Sequence, residues 1–377
     1  MAQFDDLVPS PNSGQVDWRA IETAFDWFRS LDNCRQDPIF HAEGDVAIHT
    51  RLVVEALLGA TAWRALPASD RATLFWAALL HDVAKPATTR VGPDGRVTAP
   101  GHSRRGQIMA RRILWRMRVP YAQREQICHL VTHHQRPLYL IERESPERML
   151  HEISYQTRCD LLAILAEADV RGRTCPDSGR LLDAIALFRE MARAQGCLAR
   201  PRDFASAHSR FLYFRKPGRS ADYAAYDDWT GEATLLCGLP ASGKDTWLKT
   251  WLAANARGQA IVGLDDLREE LDVDAGDAQG AVVSAGRERA RVALRAGQPL
   301  VWNATNLSRD RRRGLIDLFA DYHAKVRVVY CEAEEQETLR RNEARQRPVP
   351  AKAFARMLDH WQPPDLTECH ALDVVLS

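Results

Sequence analysis

The chain has 377 residues, 45% of them hydrophobic and 27% charged, the composition of a globular protein too long for one ordinary core. A formal net charge of +1 excludes a global field drawing it to nucleic acid, so any such contact must come from a local basic patch. Eight scattered cysteines without a C-x-x-C pair, an N-terminal "MAQFDDLVPS" unlike a signal peptide, and no apolar run of spanning length exclude a zinc ribbon, a disulfide scaffold and a membrane protein; the expected location is cytoplasmic.

From about residue 17 to 200 the sequence reads as helix after helix. "DWRAIETAFDWFRSL", "HTRLVVEALLGATAWRAL", "DRATLFWAALLHDVAK", "RRGQIMARRILWRMRV" and "CDLLAILAEADV" repeat apolar residues at spacings of three and four, with no convincing strand alternation. From 232 onward the short apolar runs "ATLLCG", "AIVGLD", "PLVWNAT", "KVRVVYC" and "ALDVVLS" are separated by helical stretches. Such alternation predicts a parallel sheet with helices on both faces. The expected fold class is therefore multidomain: an all-α domain over 1–220, a linker over 221–231 and an α/β domain over 232–377.

In the helical half, His49, the pair His81-Asp82, His102, the pair His133-His134 and Asp169 hold suggestive positions. Imidazole nitrogens with carboxylate oxygens suit borderline transition metals, not an all-oxygen calcium site. Two ions bridged by one carboxylate can clamp a phosphate and generate hydroxide near neutral pH. Lys85, one helical turn beyond His81, would neutralise a phosphate oxygen. A lone histidine carries no such meaning; the ordered set does. It resembles the HD phosphohydrolase superfamily, whose members show H…HD…D plus two intervening histidines in the dinuclear versions. "HTRLVVEAL", "LLHDVAKP", "GHSRRG", "VTHHQRP" and "AEADVRGR" supply the pieces in order. The resemblance implies His49, His81, Asp82, His102, His134 and Asp169 as metal ligands. His134 is taken over His133 because V-x-x-H-x-x-P matches the superfamily better. His41 and Glu43, in "HAEGDVAIHT", read equally well as pocket or surface residues.

In the second half, "GLPASGKDTW" at 238–247 nearly fits the phosphate-binding pattern G-x-x-x-x-G-K-[ST]. Gly238, Ser242 and Gly243 belong to a loop whose backbone N–H groups would cradle phosphates at a helix N-terminus. Lys244 would reach the β- and γ-phosphates. Asp245 replaces the hydroxyl that should hold Mg²⁺; a carboxylate is itself a hard oxygen donor, and Thr246 follows it. The next strand ends in "IVGLDDLREEL", which brings Asp265 or Asp266 beside the phosphates, where a carboxylate can accept a hydroxyl proton. The other aspartate, Asp266 by preference, is read as the helix cap. Arg268 could fork onto a substrate phosphate. "VWNATNLSRD" places Thr305 and Asn306 at the same edge, and "LRRNEARQRPVP" supplies Arg341 and Arg345 as lid arginines; Arg340 and Arg347 read as a solvated face.

Together these residues resemble the phage-type polynucleotide 5′-kinases. By that resemblance Asp265 is the general base, Arg268 and Asn306 bind the acceptor strand, and Arg341 and Arg345 belong to an R-N-x-x-R lid followed by Val349-Pro350. Asp245 and Ala304 depart from the family's serine and aspartate. An HD domain followed by such a kinase resembles the bacterial HD-domain polynucleotide kinases, over nearly the whole chain. The resemblance implies RNA end healing. The HD half would remove 2′-phosphate, 2′,3′-cyclic phosphate or 3′-phosphate ends with two transition ions such as Mn²⁺, Ni²⁺ or Co²⁺. The kinase half would phosphorylate 5′-OH ends with ATP or another NTP and Mg²⁺. The resemblance implies RNA ends, with DNA ends as the alternative, for substrates, and an RNA ligase as the expected functional partner.

The chief alternative is an HD nucleotidase or cyclic-nucleotide phosphodiesterase with an ATP-sensing second domain. The D-D-L-R element argues against it, because a sensor needs no acceptor base. A nucleic-acid-binding module with incidental ATPase activity would not need two complete metal and phosphate kits. A tRNA nucleotidyltransferase can carry an HD domain, but no carboxylate pair of that chemistry stands out here.

Overall fold

A computed structural model describes residues 4–11, 14–255, 258–273 and 279–377. The chain divides into two compact units, Met1–Asp203 and Phe204–Ser377.

The first unit is helical. Its helix α1, Val46–Gly59, starts where Asp45 accepts a hydrogen bond from Ile48 N at 2.9 Å, an ordinary aspartate cap. Val46, His49, Thr50, Val53 and Leu57 form its buried face, so His49 is carried inward by the same three-four spacing as the aliphatic residues. Helix α2, Ala68–Leu80, is buried on every side from Ala72 onward and forms the centre of the core. It stops at Leu80, earlier than its apolar periodicity predicts. Pro86 lacks an N–H and is tolerated only in a first helical turn, so a new short helix starts at Lys85. Between them Lys85 N bonds to Asp82 O at 2.9 Å. His81 and Asp82 therefore sit on a turn rather than on a continuous helix. Helices α3, His102–Arg116, α4, Tyr121–His133, and α5, Cys159–Arg171, complete the surroundings of that turn. A ribbon of two short strands, Arg90–Val91 against Val97–Thr98, is the strand pairing in this half that periodicity did not reveal.

The second unit opens with helix α6, Ala207–Arg215. The second unit thus includes α6, whereas the sequence expectation kept 204–220 with the helical half. The reason is long-range: Phe211 packs on His370, with ring centroids 4.0 Å apart. A parallel sheet follows, built from β1 (Gly231–Cys237), β2 (Ala260–Gly263), β3 (Leu300–Asn303), β4 (Ala324–Glu332) and β5 (Ala371–Leu376). Its order is β2-β3-β1-β4-β5, all parallel, and the five strands are those expected from the apolar runs. Leu236, Val301 and Val329 face helix α7, Lys244–Ala254, through Trp247, Trp251 and Leu252. On the opposite face Trp302 meets Phe319 at 6.4 Å. Both faces are covered, as a parallel sheet requires.

His370 makes this unit sensitive to acid. Its Nδ1 accepts Val326 N–H at 3.0 Å, so the neutral ring carries its proton on Nε2 and donates to His208 Nδ1 at 3.0 Å. Burial, with the charges of His208, Lys325 and Arg210, lowers His370 to about 3, against about 6.5 for an unfolded histidine. Between those values the unfolded chain binds the extra proton, so stability is full above about pH 6.5 and falls toward pH 3. Melting temperatures between pH 7 and 4 should fall more steeply for the wild type than for His370→Gln. Equal slopes would contradict this.

Candidate functional site

In the helical unit, three histidines share one device. His81 Nδ1 donates to Ala78 O at 2.7 Å, His102 Nδ1 to Ala99 O at 2.8 Å, and His134 Nδ1 to Val131 O at 2.8 Å. Each bond fixes the tautomer and leaves Nε2 as the lone-pair donor. All three Nε2 atoms face Asp82. Its Oδ2 lies 3.2 Å from His81 Nε2 and 3.8 Å from His49 Nε2. Its Oδ1 lies 3.5 Å from His102 Nε2 and 4.0 Å from His134 Nε2. Asp169 Oδ1 is 3.1 Å from His49 Nε2. Among the described residues three sets of donors lie within metal-binding reach: His41-Glu43-His49, and the pair His49-His81-Asp169 and Asp82-His102-His134, with one Asp82 oxygen turned toward each of the last two.

The donors fit divalent ions on their own evidence. His81 Nε2, His134 Nε2 and Asp82 Oδ1 are buried without a hydrogen-bond partner, a costly state that a metal ion relieves. Burial raises the Asp82 carboxyl, but Lys85, His81 and His102 hold it well below its ordinary value. Burial likewise raises Asp169, and Arg173, His49 and His81 outweigh it. Burial and the His81 charge lower His134 to about 3, which keeps it neutral and able to ligate. His133 bonds instead to Gln156 Oε1 at 2.7 Å.

Lys85 Nζ lies 2.7 Å from Asp82 Oδ2 and donates to Gln36 Oε1 at 2.6 Å. Arg173 pairs with Asp169. Glu43 Oε1 accepts from His41 Nδ1 at 2.8 Å and stands 2.9 Å from His49 Nδ1. Beside these groups lies a cavity of about 230 Å³ whose lining includes Arg35, Phe40, Lys85, His102 and Arg173. Of the donors around Asp82, His102 reaches this cavity, where Asp37 and Asp177 also contribute to the lining.

In the α/β unit the loop after β1 needs its glycines. Gly238 has φ 148° and a Cβ there would lie 2.2 Å from Cys331 O; Gly243, at φ 95°, precedes α7. Ser242 Oγ is buried without a partner. Lys244 Nζ bonds to Gly238 O at 3.0 Å and Leu239 O at 2.7 Å. Burial lowers its pKa, and Arg345 is among the charges acting in the same direction. Arg341 Nη1 would be 3.9 Å from a Gly243 Cβ and donates to Ser377 Oγ at 2.9 Å. Arg341 therefore lies beside the loop. Asp245 is exposed like Thr246 and accepts from Asn303 Nδ2 at 2.7 Å.

Residues 46–171 match the family described as HD domain, and residues 234–364 the one described as AAA domain. The chain joins an HD domain to a P-loop kinase-like domain. The A-adding tRNA nucleotidyltransferase of Deinococcus radiodurans is 34% identical over 131 residues, 34% of this chain and only 30% of that protein. A sugar kinase from Janibacter sp. HTCC2649 covers 39% of this chain and 85% of its own, at 15% identity and a TM-score of 0.31. The APS kinase of Mycobacterium tuberculosis covers 38% and 88%, at 20% identity and a TM-score of 0.29.

Two expectations for the kinase-like domain change. Asn306 does not present its side chain to an acceptor strand: at φ 46° it turns inward and donates Nδ2 to Leu236 O at 2.7 Å. Its own carbonyl accepts from the buried Arg312 at 3.0 Å. Nor does Asp266 occupy the N-cap. Helix α8, Leu264–Glu270, is preceded directly by Gly263 as N-cap, so both aspartates lie in the first turn. Asp266 folds back on Gly263, where a Cβ would meet its Oδ2 at 2.2 Å. Asp265 points outward and pairs with Arg268. Among residues not foreseen, Arg173 carries the one available signal, an acid-base pair at i, i+4 with Asp169. No spacing pattern points to Asn303, Gln36 or Ser377. No helix among the described residues is long and apolar enough to cross a membrane.

Proposed function

We propose that this protein heals nucleic-acid ends. The HD domain removes a 2′-phosphate, 2′,3′-cyclic phosphate or 3′-phosphate, and the kinase-like domain moves the γ-phosphoryl group of an NTP onto a 5′-hydroxyl. The observation that carries the first half is Asp82, one carboxylate with a histidine set at each oxygen, beside a cavity lined in part by Arg35, Lys85 and Arg173.

His49, His81, Asp82 and Asp169 would hold one divalent ion, and Asp82, His102 and His134 the other. Ions held there supply Lewis acidity and a lowered pKa for water. Lys85 and Arg173 present positive charge to the phosphate. In the second domain the loop at 238–243 and Lys244 cradle the NTP phosphates, with Asp245 as the oxygen donor toward Mg²⁺. Asp265 accepts the 5′-hydroxyl proton, Arg268 steadies the acceptor phosphate, and Arg341 and Arg345 offset charge on the group in transfer.

The nitrogen-rich donor set implies that phosphate release needs a transition ion. After chelation, Mn²⁺, Ni²⁺ or Co²⁺ should restore it and Mg²⁺ alone should restore little, whereas 5′ phosphorylation should run on Mg²⁺. Release unaffected by chelation would overturn the HD assignment.

A further inference from the structure

We propose that Phe40 is the surface on which the terminal nucleobase stacks when its phosphate enters the HD cavity. The inference rests on the phosphate-end reading above. Phe40 lines the cavity together with Arg35, Lys85, His102 and Arg173, yet 42% of it is exposed. It makes no ring contact among the described residues. Tyr139, the other aromatic lining residue, already has the Arg180 guanidinium over its ring at 5.9 Å.

An exposed phenylalanine alone means little. This one is held in place. Asp37, itself buried, accepts Ile39 N on Oδ1 at 3.0 Å, and its carbonyl accepts Phe40 N at 3.2 Å and His41 N at 2.9 Å. Beyond the turn, Ala42 N bonds to Thr174 O at 3.1 Å and Thr174 N to Glu43 Oε2 at 2.8 Å. His41 turns inward to Glu43, so the turn is anchored on both sides of Phe40. Its ring is presented to solvent by a fixed backbone, which lowers the ordering cost of a partner.

The cavity size agrees with this division of labour. At about 230 Å³ it is below the roughly 300–1,000 Å³ of sites that engulf a whole small ligand. Phosphate and sugar fill such a space and leave the base at the mouth. Every base has a π-face, so stacking there favours nucleotide ends without choosing among sequences.

The test uses the full-length, metal-loaded protein and two oligoribonucleotides with the same 3′-phosphate. One carries a base on the terminal nucleotide, and the other is abasic there. The wild type should favour the base-bearing end by about 5–150-fold in kcat/KM, the range that stacking energies imply. Phe40→Leu should bring that ratio near one, mainly through KM, and Phe40→Trp should keep it. A ratio unchanged in Phe40→Leu, or equal slowing on both substrates, would overturn the proposal. Release from neither end by the wild type, with the shared terminal phosphate placed in turn at 3′, at 2′ and as the 2′,3′-cyclic ester, would overturn the phosphate-end reading, and this inference with it.

Discussion

Asp82→Asn is expected to abolish phosphate release while sparing NTP-dependent phosphorylation. Asp82 is the one residue placed between both histidine sets, with Oδ2 toward His81 and His49 and Oδ1 toward His102 and His134. Asparagine keeps the shape but replaces one anionic oxygen with an N–H donor that cannot ligate. It also leaves the buried Lys85 without its 2.7 Å partner. Loss of a mere outer-shell contact costs about 10–100-fold, so loss of the shared ligand should cost at least about 100-fold. Metal analysis gives a readout independent of turnover: the wild type should retain two ions per chain and the variant fewer. Phosphorylation measured on the same sample controls for folding of the second domain. Release within tenfold of wild type, with both ions retained, would remove Asp82 from its bridging role.

Asp265→Asn should lower 5′ phosphorylation by about 10²–10⁴-fold, the usual cost of losing a general base, and leave NTP affinity in place. Asp265 stands in the first turn of α8, its side chain 82% exposed and paired with Arg268. An outward carboxylate held by one arginine can exchange that contact for an incoming hydroxyl. Asp266 is placed differently, folded onto Gly263, so Asp266→Asn should be the mild change. Single-turnover transfer at saturating NTP distinguishes the two. If the variants behaved in reverse, the base would be Asp266. If neither slowed transfer, the second domain would not be a kinase of 5′-hydroxyls.

The α/β architecture was legible because each strand of a covered parallel sheet is a short, nearly continuous apolar run. "KVRVVYC" and "ALDVVLS" differ from helices at sight. The candidate metal donors could be named for another reason: their residue types and chain order are constrained by chemistry, and the structure brings these distant residues within reach of one another. What escaped is what the backbone decides locally. Asn306 is polar and sits at a strand end, which reads as substrate contact, but its left-handed conformation turns the amide inward to Leu236 O. Asp266 resembles a cap only if the helix starts later than it does, and Gly263 moves that start forward. The Asp245–Asn303 pair joins residues 58 positions apart, and α6 finds His370, beyond the reach of any periodicity. The helical half hid Gln36 in a loop, where no repeat marks a residue as inward-facing, and for the same reason left Glu43 undecided between pocket and surface.

On the proposed function, two separate sites act on the two ends of one strand. The most direct measurement gives the full-length protein Mn²⁺, Mg²⁺, γ-labelled ATP and an oligoribonucleotide with a 5′-hydroxyl and a 3′-phosphate, and follows both ends. The expected result is label on the 5′ end and loss of the 3′-phosphate, with Lys244→Ala removing only the first and Asp82→Asn only the second. Contradiction would be ATP bound or hydrolysed with no label on the strand, or either substitution silencing both ends in a folded protein.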